Sequence, residues 1–427
     1  METASEIRAE HILLAATLIL AVGSVLGYLA RHVRAPDIVL FLLAGIVLGP
    51  DVTGLLDVPA TSSLSWVILI FTASYILFDG GATLELKVLG RVWISLTIIV
   101  TIGVALTAVI TAYAAQWVLG IPLTVAMLLG ATMAATDPAT LVPVFKQVEV
   151  RAKVAQFVVS ESAFNDPMGA ILTFALLGMV TGGAGAEHLS IGGGLQELLV
   201  EAGLGIIIGV VLGYAAAFFV AHEKFGFLYE YLPLITLIAV VGGYLGATGA
   251  HASGFMAAFI AGLVMGNMQY FGLSMRRGDH ARFEEFVGTT SLISRMFIFI
   301  LLGSQVRLEL IAEYWWQGLV VVFVFMFIAR PITVLVCTLP DRRAKWTWKE
   351  LAFVCWTRET GVIPGALASI LVGAHAPNAD VLAAIVFMGI LITIILQATT
   401  AKWAATKLDL LVHHRHPKGE PAEADHH

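Results

Sequence analysis

Charged residues are scarce along this chain of 427 residues. Asp, Glu, Lys and Arg together make up 13% of it, roughly half of the share in a soluble domain. The mean hydropathy is +0.90, and apolar runs of roughly 20 residues, each long enough to cross a bilayer, recur from end to end. This composition excludes a soluble domain. It predicts an all-α polytopic membrane protein, because helices pair their own backbone groups in lipid.

Cysteine is nearly absent as well. Cys337 and Cys355 both lie in apolar stretches, so we expect no disulfide framework and see no metal-ligand spacing. The Gly-x-Ser-x-Gly motif is missing, which argues against an intramembrane hydrolase. With a net charge of −6, the chain shows no sign of a nucleic-acid partner. We therefore expect no cofactor, no enzyme activity and no nucleic acid, with membrane lipids as the surroundings.

The hydrophobic pattern predicts about thirteen transmembrane helices in a domain over residues 1–410. The remaining residues, 411–427, are polar and rich in His and Pro, and we expect a short disordered tail there. The predicted spans are 11–29, 36–49, 64–79, 92–113, 122–144, 152–180, 197–220, 230–248, 251–270, 287–303, 314–339, 350–373 and 381–404.

Lys and Arg are distributed unevenly between the two sides of these spans. The side of the first inter-span loop holds 19 of the 24, and the opposite side holds two. Because basic residues are enriched in cytoplasmic loops, we expect the N-terminus outside and the C-terminus in the cytoplasm of a cell with this protein in its cytoplasmic (inner) membrane.

Thirteen spans also suggest two inverted six-helix repeats joined by span 7. Spans 5 and 12 then correspond, and each is interrupted beside charge. The first interruption is Thr136-Asp137-Pro138, and the second is Arg358-Glu359 followed by Pro364. Interrupted helices at matching positions of two halves indicate the binding site of a transporter. For Asp137 an alternative stays open, in which Asp-Pro simply ends the helix.

Seven charged residues fall well inside the predicted spans, where each costs at least about 2.5–3.5 kcal/mol. A buried arginine stays protonated and needs a partner. We expect Glu161 to pair with Arg330 and Asp137 with Arg358 as structural ion pairs. The full set is Asp137, Glu161, Asp166, Arg295, Arg330, Arg358 and Glu359.

One turn of span 6 collects the polar groups of a cation site. Ser162 and Asp166 are four residues apart and share a face, while Glu161 and Asn165 share the neighbouring face. Small hard cations prefer several oxygen ligands. The pairing scheme assigns no arginine to Asp166, so a proton and a cation can compete for its oxygens, and such competition produces exchange. The alternative is that these groups only form hydrogen bonds between helices.

These motifs resemble those of the monovalent cation:proton antiporter family, which includes NhaP-type proteins and animal sodium/proton exchangers. Thr136-Asp137-Pro138 is similar to the Thr-Asp-Pro of its first broken helix, and Glu161-Ser162-Ala163-Phe164-Asn165-Asp166 to its Glu-Ser-x-x-Asn-Asp signature. Arg330 and Arg358 fall where the family has two intramembrane arginines.

The resemblance implies an NhaA/NhaP-like fold with crossed discontinuous helices, and a homodimer whose six-helix core moves like an elevator against a dimerisation domain. It also implies that Asp166 binds the monovalent cation with Ser162 and the Thr136 region, beside Asp137. Members with Asn-Asp at this position exchange one cation per proton, and Asn165 carries that feature here.

The expected function is therefore secondary antiport of Na⁺, with K⁺ or Li⁺ as alternatives, against H⁺ in pH homeostasis. A cation channel is the rival interpretation, although the sequence contains no repeated filter loop. Two residues depart from the family pattern. Glu359 follows Arg358 directly, and Arg295 lies in span 10, where it could pair with Asp79 or Glu359.

The charge asymmetry generates a topology prediction. A reporter domain fused after Leu411 should be active in the cytoplasm, because the basic loops lie on the same side as this terminus. Paired alkaline phosphatase and fluorescent-protein fusions measure this directly. Periplasmic activity at Leu411 would contradict the thirteen-span arrangement.

Overall fold

The computed structural model of the chain describes residues 4–33, 36–136, 150–182, 191–221, 227–275 and 277–411. Nearly all of these residues are helical, and π-helical segments at Ile99–Gly103, Phe325–Ala329 and Ile394–Ala398 join the two parts of α4, α11 and α14. The helices are α1 (Ala4–Val33), α2 (Asp37–Leu48), α3 (Ser63–Ala82), α4 (Leu86–Ile98 with Val104–Leu119), α5 (Leu123–Ala134), α6 (Ala152–Val180), α7 (Ile191–Ala221), α8 (Leu232–Gly249), α9 (Gly254–Gly266), α10 (Arg277–Ser304), α11 (Trp315–Val324 with Arg330–Thr338), α12 (Trp348–Trp356), α13 (Val362–Gly373) and α14 (Ala379–Thr393 with Thr399–Lys407).

Within the described residues these fourteen helices follow the thirteen predicted spans in order, with α12 and α13 together in span 12, and a further short helix, Leu308–Glu313, lies between α10 and α11. Among the described residues, nine helices are long and apolar enough to cross a membrane, and four shorter apolar helices accompany them. The shorter ones are α2, α5, α9 and α13. The prediction of an all-α polytopic membrane protein is confirmed.

Predicted spans 5 and 12 are each interrupted, as the sequence predicts. Span 5 was predicted over 122–144 with its interruption at Thr136-Asp137-Pro138, and α5 ends just before this motif, at Ala134, with Ala135 extended. Residues 137–149 lie outside the described residues. In span 12, α12 ends at Trp356 and α13 begins at Val362. The break comes before Pro364, which lies in the first turn of α13, where a proline removes no helical hydrogen bond.

Helix α10 begins about ten residues earlier than predicted, at Arg277. The added turns are polar, so hydropathy gave no signal for them. Ion pairs one turn apart support them, with His280 3.6 Å from Glu284 and Arg282 3.8 Å from Asp279. Phe283 is buried and contacts Phe78 edge to face.

The helices pack in two groups, and glycine makes the contacts within the first group close. This first group consists of α1, α2, α3, α7, α8, α9 and α10. A Cβ on Gly45 of α2 would overlap the Ile300 carbonyl of α10, and one on Gly262 of α9 would overlap the Phe78 carbonyl of α3. Backbones in direct contact leave little freedom for these helices to slide.

The second group consists of α4, α5, α6, α11, α12, α13 and α14. Here a Cβ on Gly130 of α5 would overlap the Ala108 carbonyl of α4. Two glycines of α13 lie at the boundary between the groups. A Cβ on Gly365 would meet the Leu302 side chain of α10, and one on Gly373 would meet the Trp66 side chain of α3 and the Ala60 carbonyl. The closest backbone contacts of such a Cβ are those within the groups.

We call the side of the protein that carries most of the Lys and Arg residues the basic end. Polar contacts there connect members of the second group. Lys153 at the start of α6 is 2.9 Å from Glu350 at the start of α12. The Arg151 amide donates to the Leu410 carbonyl at 3.0 Å, and Val150 forms a β-bridge with Leu411. Leu411, the first residue of the expected tail, thus packs on the domain, and residues 412–427 lie outside the described residues.

The Asp341 carboxylate, in the loop before α12, makes further hydrogen bonds at the same end. Asp341 accepts hydrogen bonds from the amide and hydroxyl of Ser95 on α4, and from the amides of Arg343 and Ala344. Burial alone would raise the pKa of the Asp341 carboxyl. The hydrogen bonds together lower this pKa by more than burial raises it, so it lies below its ordinary value. The carboxylate is ionised at neutral pH and ties α4 to the loop before α12.

The glycine contacts generate a stability prediction. Gly262→Ala should lower the free energy of unfolding, because overpacking costs about 1–3 kcal/mol against a gain of about 1 kcal/mol in helix propensity. Gly178→Ala on α6 is the matched control, since a Cβ there meets nothing within 4 Å. Thermal unfolding in detergent measures both. Equal melting temperatures for the two variants would contradict close packing of α9 on α3.

Candidate functional site

The end of α5 lies at the centre of the predicted site. After Ala134 the chain turns to an extended conformation at Ala135, so the last carbonyls of the helix have no partner within it. Thr136 is 4% exposed. Gly169 of α6 lets this segment approach, because a Cβ at Gly169 would be 2.9 Å from the Cβ of Ala135. Asp137 lies outside the described residues.

Two side chains of α6 hold Thr136 in place. The Ser162 hydroxyl donates to the Thr136 carbonyl at 2.6 Å, and the two hydroxyls are 3.1 Å apart. The Asn165 side chain accepts from the Thr136 amide at 3.2 Å and donates to its hydroxyl at 2.8 Å. The structure thus brings together three of the predicted site residues in a neutral, oxygen-rich cluster.

Asp166 follows Asn165 on α6 and is 4% exposed. It lies one helical turn after Ser162, as the spacing predicts, and precedes Pro167 inside the helix. Proline has no amide hydrogen, so the helix loses one hydrogen bond to the Ala163 carbonyl at this turn. A buried carboxylate at this depth favours a bound proton or cation, because its bare charge is poorly solvated.

Glu161 lies on the neighbouring face of α6 and contacts Arg330. Both side chains are buried, and both nitrogens of the guanidinium fork donate to the carboxylate, one of them Nη2 to Oε2 at 2.9 Å. Nε and Nη2 also donate to the Val354 carbonyl, at 3.0 and 2.8 Å. Val354 belongs to the last turn of α12, so Arg330 pairs a carboxylate and caps a helix end at once.

Arg358 lies in the link between α12 and α13 and is 4% exposed. Its Nη2 donates to the Ala134 carbonyl at 2.7 Å, and Nη1 to the Thr107 hydroxyl at 3.2 Å. A residue from one interrupted helix therefore caps the end of the other, α5. The predicted pairing of Arg358 with Asp137 involves a residue outside the described ones and stays a prediction.

The rest of this link is also buried. Glu359 is 1% exposed and Thr360 is fully buried. The Thr360 amide donates to the Thr393 hydroxyl of α14 at 3.0 Å. Because this segment is not helical, its backbone needs such partners from neighbouring helices.

Sequence reasoning missed the threonines and carbonyls that complete the site. Thr107, Thr333 and Thr393 contribute hydroxyls from helix interiors, and the first two lie 3.1 Å apart. Thr107 follows one π-helical segment by one turn, and Thr393 directly precedes another. Helix-interior threonine in an apolar span was an available signal, but it does not distinguish a site from a local hydrogen bond to the preceding turn.

Comparison with known proteins places the chain in a family. The family described as "Sodium/hydrogen exchanger, transmembrane" matches residues 17–407. The chain belongs to the sodium/hydrogen exchanger family. The predicted membership of the monovalent cation:proton antiporters is confirmed.

Individual relatives support the family across the whole chain. The Na(+)/H(+) antiporter 1 of Methanocaldococcus jannaschii is 32% identical over 424 residues, covering 92% of this chain and 94% of the relative. The K(+)/H(+) antiporter NhaP of Alkalimonas amylolytica is 24% identical, covering 88% of this chain and 63% of the relative. The structure of the sodium proton antiporter MjNhaP1 from M. jannaschii at pH 8 superposes with a TM-score of 0.78 at 28% identity, covering 93% of this chain and 99% of that one. The antiporter fold is confirmed.

The contacts of Arg330 generate a double-mutant prediction. Glu161→Ala or Arg330→Ala should each destabilise the protein by about 3–5 kcal/mol, because each leaves a buried charge without its partner. The double variant should recover part of this, but not all, since the Val354 carbonyl also loses its donor. Unfolding in detergent measures the cycle. Lys349→Ala with Asp409→Ala, an exposed pair 3.4 Å apart, is the control and should show coupling below about 1 kcal/mol. Simple additivity at Glu161 and Arg330 would mean that the two residues do not stabilise each other.

Proposed function

We propose that this chain exchanges a monovalent cation, Na⁺ first of all, for H⁺ at Asp166. The observation that carries the proposal is the position of this acid. Asp166 is buried on α6 directly beside Asn165, and Asn165 and Ser162 together hold Thr136 at the end of an interrupted helix. The carboxylate supplies charge, and the cluster supplies neutral oxygens for a dehydrated cation.

Exchange follows from competition at one carboxylate. A proton and a cation cannot both occupy the oxygens of Asp166, so each is released when the other binds. The two buried arginines have contacts of their own that hold them in place: Arg330 contacts Glu161 and Val354, and Arg358 donates to Ala134 and Thr107. Asp137 remains a proposed member of the site on its sequence position alone.

We propose a stoichiometry of one cation per proton, without net charge movement. Asn165 supports it, because the residue beside the ion-binding acid is neutral and its amide is engaged with Thr136. Na⁺ is preferred as the cation because a Na(+)/H(+) antiporter matches at 32% identity over nearly its whole length, whereas the K(+)/H(+) relative named above is 24% identical. K⁺ and Li⁺ remain the alternatives to test.

The two helix groups support an elevator-type movement. The closest backbone contacts of glycine lie inside each group, while at the boundary Gly365 meets the flexible Leu302 side chain and Gly373 meets the Trp66 side chain and the Ala60 carbonyl. We propose that the second group, which carries the site residues, moves as a unit against the first. The first group would then be the dimerisation domain of a homodimer, with the basic loops facing the cytoplasm from the inner membrane.

The decisive experiment is Asp166→Asn in proteoliposomes. An amide is nearly isosteric but cannot exchange a proton for a cation, so exchange should fall to the level of empty vesicles while the protein stays folded. Asp409→Asn is the control, because that side chain is exposed and its left-handed backbone, with φ of 57°, suits asparagine. Retention of near wild-type exchange by the Asp166 variant would exclude Asp166 as the carrier.

The same vesicles distinguish the remaining alternatives. Wild-type rates should not change under an imposed potential of either sign, and cation uptake should stop without a proton gradient or counter-cation. Uptake that needs no counter-ion would favour a channel. Acceleration by a potential would point to a second titrating acid, with Glu359 the first candidate.

A further inference from the structure

Gln305 joins the two helix groups at the end opposite the basic loops. It directly follows Ser304, the last residue of α10 in the first group. Its amide nitrogen donates to the Val58 carbonyl at 3.1 Å and to the Ser65 hydroxyl at 3.0 Å, both in the first group. Its amide oxygen accepts from the Ser369 hydroxyl of α13, in the second group, at 2.8 Å. Contacts in the first group thus fix the orientation of the Gln305 amide, and Ser369 of the second group donates to its oxygen.

An ion pair lies beside this bond, nearer to solvent. Arg307 Nη1, at the N-cap of the short helix Leu308–Glu313 that follows Gln305, is 3.7 Å from Asp380 at the start of α14. Both side chains are more than half exposed, so the pair is weak on its own. Ser65 and Ser369 are almost fully buried. The contacts therefore form two layers, an exposed ion pair over a buried hydrogen bond.

A cleft of about 270 Å³ opens beside these contacts. Gln305 and Ser369 line it together with Arg307 and Asp380. Its lining comes in part from the last residue of α10 and from α13, and α13 begins at the buried link that contains Arg358. The Gln305–Ser369 bond therefore lies between the two groups on this face, two turns along α13 from that link.

One polar contact at the basic end crosses the boundary, where the Leu86 amide of α4 donates to the side chain of Asn267, which follows α9, at 3.2 Å. The ion pairs at that end have a different distribution. Lys153 with Glu350, and Lys349 with Asp409, connect helices of the second group to one another. These contacts can move together with that group. The Gln305–Ser369 bond cannot, because its two partners belong to different groups.

We propose that Gln305 and Ser369, covered by Arg307 and Asp380, form an outer gate that closes the face opposite the basic loops and parts once in each exchange cycle. The inference rests on the alternating access of the proposed function. When the second group moves against the first, Ser369 leaves the Gln305 amide, and the open state lacks the buried hydrogen bond that the closed state has. In this proposal the bond favours the conformation described here, which is the one closed to the outside.

Bridging the gate tests the proposal. In Gln305→Cys/Ser369→Cys, a short bis-methanethiosulfonate reagent should link the two thiols, and intact-mass spectrometry reports the linked fraction. Exchange in proteoliposomes should fall by roughly tenfold or more on linking, because the movement between conformations is blocked. Reduction should restore it. Each single cysteine variant, treated with the same reagent, accounts for reaction at Cys337 or Cys355.

The control pair lies within one group. Lys349→Cys/Asp409→Cys, linked by the same reagent at the basic end, should exchange within about twofold of its unlinked rate, because both residues move together. If the linked Gln305/Ser369 pair exchanges as fast as its unlinked form, the gate proposal is wrong. A wild-type protein that exchanges nothing would instead contradict the proposed function.

A second measurement needs no linking and no transport. Ser304→Cys places a thiol in the lining of the same cleft, where the native residue is 4% exposed. Adding Ser369→Ala should raise its labelling by a membrane-impermeant maleimide in intact cells by about threefold, since the hydrogen bond across the boundary is removed while the Gln305 amide keeps its contacts with Val58 and Ser65. Val52→Cys, at an exposed position of the same end, should label equally in both backgrounds. Unchanged labelling at residue 304 would overturn the gate even if the cysteine pair fails to link.

Discussion

The arrangement of this protein depends on free backbone carbonyls at helix ends inside the membrane. Where α5 and α12 stop, carbonyls lose their helical donors in surroundings without bulk water, and each unpaired group would cost several kcal/mol. Two arginines supply the donors: Arg358 to Ala134, and Arg330 to Val354. The positive charges also suit the negative ends of the two helix dipoles. The interruptions that build the site are stable because these guanidinium groups occupy them.

Because arginines are needed at these helix ends, the buried acids have different roles. Glu161 neutralises Arg330 with two hydrogen bonds and is thereby fixed in place. Arg358 makes its described hydrogen bonds to a carbonyl and a hydroxyl, so the helix end itself supplies part of its compensation. In our proposal Asp166 carries the transported ions, and the neutral contacts of Ser162 and Asn165 keep Thr136 close without adding a competing charge.

The sequence predicted the parts of this structure that depend on hydropathy and on spacing along one helix. Span 6 was predicted as 152–180 and α6 is Ala152–Val180, because apolar residues flank a compact polar turn. The contact of Glu161 with Arg330 could be anticipated from charge balance. The interruption of span 5 beside Thr136-Asp137-Pro138 was predicted as well, but the residue at which α5 ends was not, since the residues before Asp137 are as apolar as the rest of the helix. The capping of helix-end carbonyls by arginine could not be predicted either, because the sequence does not show which backbone carbonyls lack a helical donor. The start of α10 escaped because its first turns are polar and are held by local ion pairs.

The π-helical segments limit which changes of sequence the helices that contain them can tolerate. Each accommodates one residue more than the α-helical register allows, and such segments are commonly found beside functional positions. The segment Phe325–Ala329 directly precedes Arg330. Losing a single residue there would return α11 to regular α-geometry and rotate everything on one side of the deletion by about 100° relative to the other. The guanidinium would then point away from Glu161 and Val354. Point substitutions in this helix are therefore better tolerated, in evolution as in design, than a one-residue deletion ahead of Arg330.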